Sequence, residues 1–152
     1  CNASICNDAS KRTWELSDEE FDQVLSVNIN GTANVCRAFL PSMVERGSGT
    51  LIGLSSRAGR KGLANLAPYC AGKWAIEGLM RAIARELPDG MASIPMNPCD
   101  INTEMYRSNW PANAPSKPSP EEWVAIAGPY ILGLDAQHSG ESATVPLPGY
   151  VL

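Results

Sequence analysis

Apolar residues recur at helical intervals through SDEEFDQVLSVNINGTANVCRAFLPSMV, where Phe21, Val24, Leu25, Val35, Phe39, Leu40 and Met43 fall on one stripe. Ser17, with Glu20 three residues on, makes a capping box, and Asp18 and Glu19 suit the positive end of a helix dipole. The pattern predicts a helix from about Asp18 with one buried face. Asn28 lies on that face. Gly31 costs about 1 kcal/mol relative to alanine in a helix interior, so it predicts a kink or a close backbone approach.

After the turn RGSG, the run TLIGLSS is short, apolar and bounded by small residues, as a fully buried strand would be. RAGRKGLANLA reads as a loop. Pro68 then opens a helix whose stripe passes through Tyr69, Lys73, Ile76, Met80, Ile83 and Leu87 until PDG stops it. MASIPMNP reads as a second strand weakened by Pro95, and CDINTEMYRSNWP as a loop with a short helix. WPANAPSKPSP is a Pro-rich loop. Ser119, Pro120, Glu121 and Glu122 start a helix running to about Leu132, and SATVPL is a last short strand.

Strand, helix, strand, helix, strand in alternation predicts an α/β fold, a doubly wound parallel sheet covered by helices. The expected organisation is a single domain over 1–152, with too few units for a complete sheet. No G-x-G-x-x-G turn is present to seat a dinucleotide pyrophosphate.

Composition narrows the function classes. The 152 residues suffice for one core, and no apolar run approaches the roughly 18 residues that span a membrane. A net charge of −4, without a Lys/Arg cluster interleaved with aromatics, argues against a nucleic-acid partner. The cysteines Cys1, Cys6, Cys36, Cys70 and Cys99 form no C-x-x-C pair, and His138 is the only histidine, so no metal site is expected. Free thiols suit a reducing, cytoplasmic compartment. The opening CNASICND lacks the basic start and apolar middle of a secretory signal and reads as a chain beginning within a strand.

The candidate chemistry lies in three places. Tyr69 and Lys73, at i and i+4, share a helix face. They are either a surface pair or an acid/base with its activator, since an ammonium beside a phenol favours the phenolate. Ser55 and Ser56 end a strand at the carboxyl edge of the sheet, where ligands of open α/β sheets bind. They either start a turn or hold a substrate carbonyl oxygen. Asn28 is either a core amide satisfied by backbone or water, or the holder of a water leading to Lys73.

Taken together, Asn28 in VNING, Ser56 in LSSRAG, Tyr69 and Lys73 in YCAGK, and Pro98 and Thr103 in NPCDINTEM resemble the short-chain dehydrogenase/reductases. Thirteen residues separate Ser56 from Tyr69, and four more reach Lys73. The resemblance implies the carboxyl-terminal portion of a Rossmann-type domain that transfers a hydride between NADPH or NADH and a carbonyl or alcohol substrate. It implies Tyr69 as acid/base, and Lys73 holding the nicotinamide ribose and lowering the tyrosine pKa. Ser56 would orient the carbonyl and Asn28 hold a relay water. Asn2 and Ala3 match the end of the NNAG strand, and Pro98, Ile101 and Thr103 would lie along the nicotinamide. A homodimer built on the two long helices is also implied. APYCAGKWAIEGL, INTEM, SPEEW and GESATVP are similar to plant-type NADPH-dependent pterin aldehyde reductases, which favours NADPH and a cytosolic carbonyl reductase.

The sequence also departs from the family. A T-G-x-x-x-G-x-G turn is missing, Cys1 and Ser4 replace the first asparagine and the glycine of N-N-A-G, Cys99 replaces the glycine after Pro98, and Pro95 interrupts a central strand. Two readings follow: a carbonyl reductase, or a catalytically inactive relative whose helices serve dimerisation or binding.

Overall fold

The structure, a computed structural model, describes residues 1–150. The first helical stripe forms α1 (Asp18–Leu25), a π-helical turn over Ser26–Gly31, and α2 (Thr32–Arg46). Ser17 Oγ accepts from Glu20 N at 3.1 Å, which starts α1. The Glu20 carboxylate instead accepts from Asp8 N and Lys11 Nζ, so only half of the expected capping box forms.

The stripe is not continuously buried. Val24 and Met43 are, but Val35 and Phe39 face outward, and Thr32 and Cys36 take the inner positions. A π turn holds an extra residue per turn, so in the turns just beyond it Cys36 and Leu40 take the places expected of Val35 and Phe39, while Met43 keeps its own. The kink expected at Gly31 is this wide turn. Gly31 itself touches nothing closely.

The sheet has three parallel strands in the order β1 (Gly49–Leu54), β2 (Met91–Asn97) and β3 (Ala143–Thr144). Gly49 pairs with Met91 through to Leu54 with Met96, and Met96 and Asn97 pair with Ala143 and Thr144. β2 is buried at every position, as a strand covered on both faces should be. Met91 packs with Leu51, Cys36 and the α3 (Ala67–Ala84) residues Ile76, Met80 and Ile83. Ala92, Ile94 and Met96 point the other way, onto Ala127 of α5 (Pro120–Leu132), Leu134 and Val145. Helices therefore cover both faces of a Rossmann-type parallel sheet. β1, expected to be fully buried, is instead half-covered, with Thr50 exposed. Beside it lies Cys1, whose carbonyl accepts from Leu54 N at 3.0 Å.

Pro95 does not break β2. In a parallel strand the N–H and C=O of one residue point to the same side. Met96 O accepts from Ser55 N, on the β1 side, while Asn97 O accepts from Val145 N, on the β3 side. Pro95 shares the parity of Asn97, so its missing N–H faces β3, and β3 begins only opposite Met96. The β1 ladder is untouched.

α3 starts with Pro68 in its first turn, as expected, and ends at Ala84, ahead of Leu87. α5 begins with a complete capping box: Ser119 Oγ accepts from Glu122 N, and Glu122 Oε2 accepts from Ser119 N. The short helix α4 (Glu104–Asn109) is capped by Thr103. No helix among the described residues is long and apolar enough to cross a membrane.

Candidate active site

A cavity of about 860 Å³ opens at the carboxyl ends of β1 and β2. Ser56, Tyr69 and Lys73 line it. So do Asn2 and Ala3 from the first segment and Pro98, Ile101 and Thr103 from the loop after β2. All the expected site residues except Asn28 converge on this space. They come from four separate stretches because parallel strands end together on one edge, and α3 starts beside that edge.

Ser56 takes part in the turn and keeps its O–H donor: its Oγ accepts from Ala58 N at 3.1 Å and caps a 3₁₀ turn over Arg57–Gly59. The turn is pressed onto α3. A Cβ on Gly59 would stand 2.7 Å from Lys73 O, so a side chain there would lift the turn off the helix. Close packing at Gly59 thus sets Ser56 beside Tyr69.

Lys73 is buried, not a surface residue, and donates from Nζ to Leu54 O at 2.9 Å. Its ammonium sits 5.5 Å from the centroid of the Tyr69 ring. Burial lowers the Lys73 pKa to about 8, against a small opposing pull from Cys6. The Tyr69 phenol is pushed above its ordinary value, chiefly by burial and further by Cys6, while the Ser56 hydroxyl pulls it down. The expected lowering by Lys73 is therefore not what governs this phenol here. Desolvation of the phenolate outweighs a cation whose nearest partner is a backbone carbonyl.

Asn28 lies behind the cavity, fully buried. Its Oδ1 accepts from Ser4 Oγ and Ile5 N, and its Nδ2 donates to Ile5 O, each at 2.9 Å. Its carbonyl accepts from Thr32 Oγ1 at 2.9 Å. The amide thus pins the segment that carries Asn2 and Ala3, which is the satisfied-core alternative. Ser4, where the family has glycine, takes part in this clamp.

Cys99 adopts φ 69°, a left-handed backbone that favours glycine. Its thiol donates to Val145 O at 3.2 Å, and its N–H donates to Asn97 Oδ1 at 3.0 Å. The cavity has further walls that pattern alone did not single out: Arg57, Tyr106, Trp110 and Trp123. Trp123 Nε1 donates to Pro98 O at 2.8 Å and ties α5 to the loop after β2. The signal available for these was only aromatic content in a loop and a helix start. The Leu54 carbonyl that receives Lys73 leaves no trace in sequence.

Residues 1–114 match the family model for short chain dehydrogenase. The chain is 46% identical over 144 residues to the NADPH-dependent pterin aldehyde reductase of Arabidopsis thaliana, covering 95% of this chain and 59% of that protein. It is 34% identical over 98 residues to the L-xylulose reductase of Mesocricetus auratus, covering 63% and 40%. A short chain dehydrogenase structure from Escherichia coli CFT073, complexed with NADPH, superposes with a TM-score of 0.84 at 26% identity, covering 96% of this chain and 61% of that one. The chain thus spans less than two thirds of the length of each of these relatives.

Proposed function

The chain belongs to the short-chain dehydrogenase family, and on that premise we propose that the protein is an oxidoreductase that reduces a small aldehyde or ketone to an alcohol with NADPH. The observation that carries this reading is the convergence of Ser56, Tyr69 and Lys73 on one cavity at the carboxyl edge of the sheet. The relative named for NADPH-dependent pterin aldehyde reduction and the neighbour complexed with NADPH support that coenzyme, and a pterin aldehyde as substrate.

The residues present suit the nicotinamide end of the coenzyme. Lys73 has one of its three ammonium donors on Leu54 O, which leaves donors for the ribose hydroxyls. Asn2 and Ala3 border the same space on one side and Pro98, Ile101 and Thr103 on the other. NADPH, when bound, supplies the hydride. Ser56 holds the carbonyl oxygen of the substrate by a hydrogen bond. Tyr69 gives its proton to that oxygen as negative charge develops there, and the phenol held protonated by burial is the form this step needs. Lys73, below its pKa of about 8, stabilises the resulting phenolate. Asn28 keeps the segment of Asn2 and Ala3 in place.

Val35, Phe39 and Trp74 lie exposed on the two long helices, which supports a homo-oligomer joined through them. The same exposed residues favour the second reading, a dimerisation module without catalysis. The test assays the purified protein, with a Tyr69→Phe variant beside it, on NADPH and 6-formylpterin. Loss of turnover in the variant by about 10²-fold or more is expected, the usual reach of a general acid. Undiminished turnover in the variant would overturn the mechanism, and no turnover by the native protein would leave the second reading.

A further inference from the structure

Arg57 directly follows Ser56 and lines the same cavity. Its Nε–H is buried without a hydrogen-bond partner. Among the described residues no carboxylate stands within ion-pair distance of its guanidinium. Glu77 is taken by Arg60 and Arg81, and Asp100, on the same wall, pairs with Lys117 at 3.3 Å. A buried donor left unmade costs on the order of 1–3 kcal/mol, more when charged, so fold stability gives no reason for this group.

The backbone beneath it is hydrogen-bonded into the turn. Arg57 O accepts from both Arg60 N and Lys61 N at 3.0 Å. Facing the same cavity, Tyr106 and Trp110 form a tilted pair with ring centroids 5.1 Å apart. An aromatic wall offers a stacking surface, and a guanidinium presents a planar fork of donors to oxygen or nitrogen acceptors. Both stand next to Ser56 and Tyr69.

We propose that Arg57 is the specificity-determining residue of this cavity, donating to acceptor atoms on the ring edge of a flat heteroaromatic aldehyde packed against the aromatic wall of Tyr106 and Trp110. This rests on the carbonyl-reductase reading and deepens it. The adjacency to Ser56 is what makes Arg57 selective, since one short turn fixes the distance between the group that holds the carbonyl oxygen and the group that reads the ring. A ring without acceptors would offer the guanidinium no partner, and a site built to hydrogen-bond its substrate discriminates strongly against an analogue that lacks the matching group.

The test is equilibrium binding, read by quenching of tryptophan fluorescence, so that it needs no turnover. Two probes of similar shape are compared: 6-formylpterin, whose ring edge carries acceptors, and 2-naphthaldehyde, whose ring carries none. The native protein is expected to prefer 6-formylpterin. Arg57→Met is expected to cut the ratio of the two affinities at least tenfold, and Arg57→Lys, which keeps a charged donor, to restore part of it. An unchanged ratio in Arg57→Met, or no binding of 6-formylpterin by the native protein, overturns the proposal. So does a loss confined to NADPH affinity. Arg57-dependent preference without hydride transfer would sustain the proposal while removing the reductase reading. Turnover with an Arg57-independent preference would do the reverse.

Discussion

Gly72 of α3 stands directly against Asn28: a Cβ built on Gly72 would lie 2.8 Å from the Asn28 Cβ and 3.2 Å from its Nδ2. Asn28 cannot yield, because its amide is held by Ser4 and Ile5. Gly72→Ala is therefore expected to destabilise the fold by about 1–3 kcal/mol, the usual cost of overpacking. Urea unfolding measures it. A loss no larger than that at exposed Gly78, where a Cβ meets nothing, would show that the two helices part easily.

Lys73 carries a pH signature of opposite sign to an ordinary ion pair. Its folded pKa, about 8, lies below the ordinary lysine value of 10.5, so between those values the unfolded chain binds more protons than the folded one. The burial penalty of Lys73 is thus full below pH 8 and is relieved as pH rises toward 10.5. Stability relative to a Lys73→Met variant is expected to increase over that window, by roughly 3 kcal/mol at most. Cys6, pushed up by burial to about 12, works the other way above pH 9 and is itself pulled down by Lys73, so the slope attributable to Lys73 alone is the one below pH 9. Urea midpoints at pH 7.5 and 8.5 give the slope, and a flat difference would mean that Lys73 is not desolvated.

Glu77 joins three parts of the fold. The buried carboxylate accepts from Arg60 Nε at 3.0 Å and from Ser142 Oγ, while Arg60 also donates to Thr144 Oγ1 and Ala143 O. Burial pushes its carboxyl up, but hydrogen bonds from Ser142 and Arg60 outweigh it and hold the group below its ordinary value. Glu77→Gln is expected to cost about 3 kcal/mol, because Arg60 is left without its charge partner. Arg81, whose side chain is 55% exposed, should cost under about 1 kcal/mol when replaced by Met. The advantage of the native protein over Glu77→Gln should fade as pH falls below the ordinary glutamate value of 4.5, since a depressed carboxylate loses its contribution on protonation. Equal losses for the two variants would place the strength in the exposed pair.

Pro95 reads as a defect and should not behave as one. Because its missing N–H faces the side where β3 has not begun, Pro95→Ala places a buried donor there without a ladder bond to make. The variant is expected to be neutral or destabilised by up to about 1–3 kcal/mol. A gain in the urea midpoint would show that a ladder acceptor was waiting.

Local chemistry was legible in the sequence wherever a few neighbouring residues settle it. Ser17 and Ser119 started their helices, Pro68 stood in the first turn of α3, and alternating strands and helices announced a parallel sheet. The intervals from Ser56 to Tyr69 and Lys73 marked residues that do meet at one cavity. Val35 and Phe39 were misplaced on the buried stripe of α2, though Leu40 and Met43 were not, because a π turn adds a residue without altering the composition on which a periodicity is read.

Tertiary structure decided the rest. Sequence determined that Lys73 and Tyr69 share a face, but only the packing of α3 against β1 removed the lysine from water and gave it to Leu54 O. That desolvation, a property of everything packed around the pair, set the direction of both pKa shifts. Asn28 was marked by its place on an apolar stripe, yet its partners Ser4 and Ile5 lie more than twenty residues away along the chain. Arg57 looked like one more charge in a loop until the turn at Gly59 folded it into the cavity wall. Chain order settles which residues can be neighbours on one element. Which of them lose their water, and to whom, depends on surfaces that meet only when the sheet and its helices close.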